Sequence, residues 1–232
     1  MSEEFFKHAE LSLATYADLV TGVDIKDELK IAGFSDIQAD AFVFKYRIVD
    51  QQFNENATGL SATIFADKVS GETFLAVRGT EPTDIRDFAT GIFDIMLFGS
   101  TQLHPQYNSL KAKVTEWLGS GALPPTFTVT GHSMGGFLAI GLVDDPAFAS
   151  HVSHAYLYNA PGMGGIVGSF ADTLLGFMGI SSSGDTTKIS NIEAATGISP
   201  IAGLGFDAAP PIDIIIEDQT QISGSPPSKN HN

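Results

Sequence analysis

The sequence predicts an α/β domain in which a mostly parallel sheet is flanked by helices on both faces. Three observations predict it. Runs of β-favouring residues alternate with stretches of helical spacing, the order that builds parallel strands joined by crossover helices. One such run, Thr126-Phe-Thr-Val-Thr130, ends in Gly131-His-Ser-Met-Gly135 and passes into the helix-compatible Phe137-Leu-Ala-Ile-Gly-Leu-Val143. At 232 residues and 43% hydrophobic content the chain can bury one sizeable core, so residues 1–232 are expected to form a single domain.

Taken in order, residues 3–20 place Phe6, Leu13, Tyr16, Leu19 and Val20 near helical spacing, and a second helix runs from Asp24 to Ala32 before Gly33. Both are expected to cover one side of the sheet. A third helical stretch leads from Ser35 into Tyr46. Residues 60–66 and 72–77 read as strands joined by Asp67-Lys-Val-Ser-Gly71, a hairpin that leads into Arg78-Gly-Thr80. A helix covers residues 106–118, stopped by Gly119-Ser-Gly121 and Pro124-Pro125. Later strands are expected at 153–158, 187–192 and 212–217, and the Ser/Pro/Asn-rich stretch from Ser223 to Asn232 reads as a tail. No internal repeat or heptad array is present, and no linker divides the chain.

Composition narrows the function. A formal charge of −15 repels nucleic acid and anionic membrane surfaces, so contact with lipid would have to be apolar and transient. With no cysteine there is no disulfide, thiol nucleophile or thiolate-bound metal, which suits a cytoplasmic protein or a secreted bacterial one. The start Met1-Ser-Glu-Glu-Phe-Phe-Lys7 lacks the basic and apolar regions of a signal peptide, and no run of about 18 apolar residues marks a membrane span.

Gly-x-Ser-x-Gly between a strand and a helix is a nucleophile elbow, and Ser133 is the candidate nucleophile. The sharp turn leaves no room for Cβ atoms at Gly131 and Gly135, while Gly136 lets the following helix pack closely. In a chain with 24 glycines the bare pattern is weak, and its strand-to-helix setting carries most of its weight. A serine hydroxyl needs a base, a carboxylate to orient that base, and donors for the oxyanion. Elbow hydrolases place the base after the acid and both after the serine. His151 and His154 come too soon, His132 is an x residue of the motif, and His104 and His8 precede the serine and are read as structural. That order selects His231, although a histidine so near a terminus is often unstructured. Glu193 is the best-placed acid, just after the strand at 187–192, with Asp185 and Asp207 competing and a solvated loop role open to it. The Met134 N–H follows from elbow geometry as one oxyanion donor, and Thr80, after an earlier strand, is placed for the second. No metal or cofactor is called for.

With both segments in view, the chain resembles the class 3 lipases, a branch of the α/β-hydrolase fold. The likeness rests on Val77-Arg-Gly-Thr-Glu-Pro-Thr-Asp-Ile-Arg-Asp-Phe88, Leu103-His-Pro-Gln-Tyr107, the elbow from Gly131 to Gly136, and Tyr158-Asn-Ala-Pro-Gly162, spanning roughly residues 60–165. The resemblance implies that Thr80 gives its N–H, and its hydroxyl, to the oxyanion and that an ester acylates Ser133. The pattern departs at Gly197-Ile-Ser-Pro200, with glycine where the family places an aspartate, which makes Glu193 a displaced substitute. It departs again at Asn232, where related bacterial hydrolases continue into a further helix. The expectation is a catalytic segment cut from a longer protein, or a truncated version of one.

Two glycine-bounded apolar segments, residues 91–99 and 164–178, are candidates to cover the site or to pack into the core. In the first position class 3 lipases carry their lid. Their apolarity favours an acyl chain over a polar substrate. The leading expectation is a serine carboxylic-ester hydrolase, a lipase or esterase acting on lipid or other acyl esters. A phospholipase, thioesterase or acyltransferase would use the same serine site, and a non-catalytic hydrolase-like binding module is the third reading. Oligomeric state is not legible.

Overall fold

The computed structural model describes residues 2–20, 24–53, 58–79, 103–160, 186–194 and 211–214. Among them seven strands form one sheet in chain order: β1 (Tyr46–Gln52), β2 (Ala62–Asp67), β3 (Thr73–Val77), β4 (Phe127–His132), β5 (Val152–Tyr158), β6 (Ile189–Ala194) and β7 (Pro211–Ile214). The first three are antiparallel neighbours, and every pairing from β3 to β7 is parallel. The carboxyl ends of β3 to β7 therefore share one edge of the sheet, the edge where open α/β sheets carry their sites.

Helices cover both faces, as expected. On one side lie α1 (Ser2–Ala14), α2 (Ile25–Ile31) and α3 (Asp36–Lys45), where Leu11, Leu29 and Phe42 pack with Phe65, Phe74 and Ala76 of the sheet. On the other, α4 (Leu103–Ser120) and α5 (Met134–Asp144) bring Tyr107, Trp117 and Phe137 against Ile64, Leu75 and Val77. The period-two alternation along β2 and β3 feeds the two cores in turn. Local chemistry sets the helix starts. Asp24 caps α2 by accepting from the Lys26 and Asp27 N–H groups, and Ser35 with Gln38 forms a capping box on α3.

Three expectations need correction. Strand β1 follows α3 without a break, because Tyr46 turns to extended geometry (φ −111°, ψ 152°) with no Gly or Pro to mark the change. The face of α1 differs as well: Phe6 and Leu13 point outward, while His8, Leu11, Ser12 and Thr15 are buried. Polar residues occupy that stripe because the sheet supplies partners. The His8 ring stacks 3.9 Å from that of Tyr156, and the Thr130 hydroxyl donates to the His8 carbonyl at 3.2 Å. Finally, β6 starts at Ile189 after a short 3-10 turn, Thr186–Lys188, and runs through Glu193, which was expected to follow the strand.

Candidate active site

The elbow is built by steric necessity. Ser133 joins β4 to α5 with φ 55° and ψ −128°, a backbone region that costs a non-glycine residue about 1–3 kcal/mol. Crowding around it maintains the turn. A Cβ on Gly131 would meet the backbone of Gly135 and lie 2.6 Å from the Gly136 nitrogen, while one on Gly135 would strike the Val77 carbonyl. At Gly136 an added Cβ would come within 2.7 Å of the Ala160 Cβ, so α5 sits close against the chain leaving β5. The Ser133 N–H is anchored to the Tyr158 carbonyl at 2.9 Å.

This geometry leaves the hydroxyl out of the helix cap. Ser133 occupies the N-cap position of α5, yet its side chain makes no cap hydrogen bond. Its Oγ is buried and has no hydrogen-bond partner among the described residues. Met134 follows as the first helical residue, so its N–H has no acceptor within the helix and lies in the positive end of the helix dipole. The loop leaving β3 begins at the same point. An added Cβ on Gly79 would lie 3.2 Å from the Met134 nitrogen and 2.7 Å from the His132 carbonyl. The chain entering Thr80 therefore starts against the elbow, while Thr80 itself lies outside the described residues.

Tyr16, just beyond α1, touches both segments. Its hydroxyl lies 3.0 Å from His132 Nδ1, and the Arg78 guanidinium sits 6.0 Å from its ring centroid and 5.1 Å from that of Phe53. Burial lowers the His132 pKa, so the imidazole is neutral near pH 7 and Nδ1 can accept from the tyrosine. By sequence spacing alone Tyr16 is one more apolar position near helical period. The one local hint was a polar-tipped aromatic among aliphatic residues.

The other candidates divide as follows. Glu193 is the next-to-last residue of β6, at the same sheet edge as Ser133, with its side chain outside the described residues. Its register partner is Asp213 of β7, a second acid at this edge that no motif in the sequence marks. His231, Asp185, Asp207 and the two apolar segments at 91–99 and 164–178 all lie outside the described residues. His8 is structural, its pKa pushed down to about 3, chiefly by burial. His151 bonds the Pro125 carbonyl at 2.6 Å and His154 bonds the Ser190 hydroxyl at 2.8 Å. His104 lies in the first turn of α4, its side chain outside the described residues. Among the described residues no cluster of three or more His, Asp or Glu could hold a metal ion, and no helix is long and apolar enough to cross a membrane.

Comparison with known proteins adds a fold-level result. No family model and no curated protein matches the chain in sequence. Solved structures match by shape. A mutant form of MDLA from Penicillium cyclopium aligns with a TM-score of 0.59 at 16% identity, covering 94% of this chain and 81% of its own. The nonglycosylated LIP2 lipase of Yarrowia lipolytica aligns at 0.56 and 17%, covering 93% and 80%. Lipase II from Rhizopus niveus aligns at 0.51 and 17%, covering 85% and 73%. At such identities the likeness is one of fold, and this chain has the α/β-hydrolase fold that these fungal lipases share.

Proposed function

We propose that the chain is a serine carboxylic-ester hydrolase of lipase or esterase type, with Ser133 as nucleophile and the class 3 lipases as its relatives. One observation carries the reading: a strained, buried serine at the N-terminus of α5 whose hydroxyl neither caps the helix nor bonds any described residue. A hydroxyl in that state is poorly explained by stability, since a buried unsatisfied polar group costs about 1–3 kcal/mol.

In the proposed reaction Ser133 Oγ attacks the ester carbonyl carbon while His231 takes the hydroxyl proton. The resulting oxyanion is held by the N–H groups of Met134 and Thr80, and Glu193 orients the imidazole. Collapse breaks the bond to the alcohol oxygen, which receives the proton from His231, and leaves an acyl-serine. Water then adds, its proton passing to the same base, and the carboxylic acid leaves. The substrate is a lipid or other acyl ester, met through transient apolar contact, and nucleic acid is not a partner. The shared sheet edge of Glu193 and Ser133 and the approach of Gly79 to Met134 support these roles.

Hydrolysis of p-nitrophenyl butyrate tests the proposal, with Ser133→Ala as the control. Turnover is expected to fall at least ~10³-fold in the variant. Equal rates in the two proteins would reject the ester hydrolase. Activity surviving His231→Ala would reject that base.

A further inference from the structure

Among the described residues, two that carry side chains have positive φ: Ser133 at 55° and Asn159 at 45°. They occupy equivalent places on neighbouring strands. Ser133 is the first residue beyond β4 and Asn159 the first beyond β5, and each donates its N–H to the last paired residue of the next strand. Ser133 bonds the Tyr158 carbonyl at 2.9 Å, and Asn159 bonds the Ile192 carbonyl at 2.9 Å. The residue after Ile192 is Glu193. One short segment thus ties the elbow on one side to the end of β6 on the other.

The same segment packs on the start of α5. Ala160 is buried, and a Cβ added to Gly136 would stand 2.7 Å from the Ala160 Cβ. In extended geometry residue 159 would continue the ladder along β6 and carry Ala160 away from Gly136. Positive φ at Asn159 turns the chain instead. Asparagine adopts that region more readily than most residues with a Cβ, whereas a β-branched residue is strained there.

We propose that Asn159 is a positioning residue for the elbow, its backbone turn fixing the Tyr158 carbonyl and the Ala160 methyl against which Ser133 and α5 sit. Its part in catalysis rests on the ester chemistry assigned above to Ser133. The Met134 N–H lies one peptide unit beyond the anchored Ser133 N–H, so loosening that anchor shifts nucleophile and oxyanion donor together. A reaction that needs near-attack geometry loses rate for such a shift, while substrate affinity is kept.

Three substitutions test this on p-nitrophenyl butyrate, at a temperature where circular dichroism shows each protein fully folded. Asn159→Val opposes the turn, and its kcat is expected to fall about tenfold with KM unchanged. Asn159→Ala opposes it less and should lose about threefold, and it carries the test if the valine variant does not fold. Asn159→Gly keeps the turn and should stay within about twofold of wild type. Unchanged kcat in the valine and alanine variants overturns the assignment. A glycine variant as slow as the others would show that the side chain acts, which overturns the backbone role. Hydrogen exchange of the Ser133 amide, followed by NMR, separates this inference from the reaction itself. If wild type hydrolyses no ester, yet that amide exchanges about tenfold faster in the opposing variants and as in wild type with glycine, the ester reading fails and the hold on the elbow stands. Equal exchange in all four proteins overturns the hold whatever the turnover.

Discussion

The two ends of α5 treat buried polar groups in opposite ways. At the N-terminus Ser133 is held in a strained backbone, crowded by glycines, with its hydroxyl unused by the fold. At the C-terminus Asp144 and Asp145 are both buried, and only one is compensated. Burial opposes the charge of Asp145, but the Ala147 N–H, Lys111 at 3.0 Å and the Tyr107 hydroxyl at 3.1 Å bring its pKa below the usual carboxylate value. Neither oxygen of Asp144 has a partner among the described residues, and burial lifts its pKa from 3.8 to about 6. The negative end of the helix dipole disfavours its charge further. An unsatisfied group at a sheet edge that carries chemistry can be retained for function. At the opposite pole the same condition only lowers stability.

The widest separation between the poles should come from Ser133→Gly. Glycine adopts φ 55° freely, so thermal unfolding should show a gain of roughly 1 kcal/mol while ester turnover drops at least ~10³-fold. Loss of stability along with turnover would mean that the elbow serine is structural, and the contrast would collapse.

Asp144→Asn probes the other pole. Because the folded pKa is the higher one, the unfolded chain ionises first as pH rises from 3.8. Stability is greatest below that value, declines as pH climbs to about 6, and stays lower beyond it. The deficit in wild type is at most ~3 kcal/mol, and urea melts from pH 4 to pH 8 should show the asparagine variant losing most of that slope with turnover per folded molecule unchanged. Parallel pH profiles for the two proteins would show that Asp144 does not titrate in this window.

A smaller effect is expected from Tyr16→Phe, which removes the hydroxyl that faces His132. Stability should fall about 1 kcal/mol and kcat several-fold, with the elbow otherwise intact. If kcat holds while stability falls, Tyr16 supports the fold without positioning the elbow.

Much of this was legible beforehand because short-range rules suffice for it. Gly131, Gly135 and Gly136 announced a turn with no space for side chains, and each indeed faces backbone or Ala160 at contact distance. The two β-favouring runs on either side of the turn at 67–71 gave away the hairpin of β2 and β3, and Asp24 and Ser35 marked their helix starts. Strand β1 was hidden because helix and strand abut at Tyr46 with no punctuating residue. The buried face of α1 was hidden because His8 and Ser12 look like solvent-facing residues until Tyr156 and Thr130 are brought to them. Glu193 shows the boundary error that propensity alone leaves: its strand continues through it because Asp213 pairs opposite.

By itself the sequence determined the α/β class, the strand-to-helix elbow and the identity of the serine within it, since each depends on residues a few positions apart. Tertiary structure alone decided that Gly79 comes to rest against Met134, that Tyr16 reaches His132 across 116 positions, and that His132 and Tyr158 line a cleft together with α1. Those features depend on segments far apart in the chain, and packing on a shared sheet edge, which no local pattern encodes, is what brings them together.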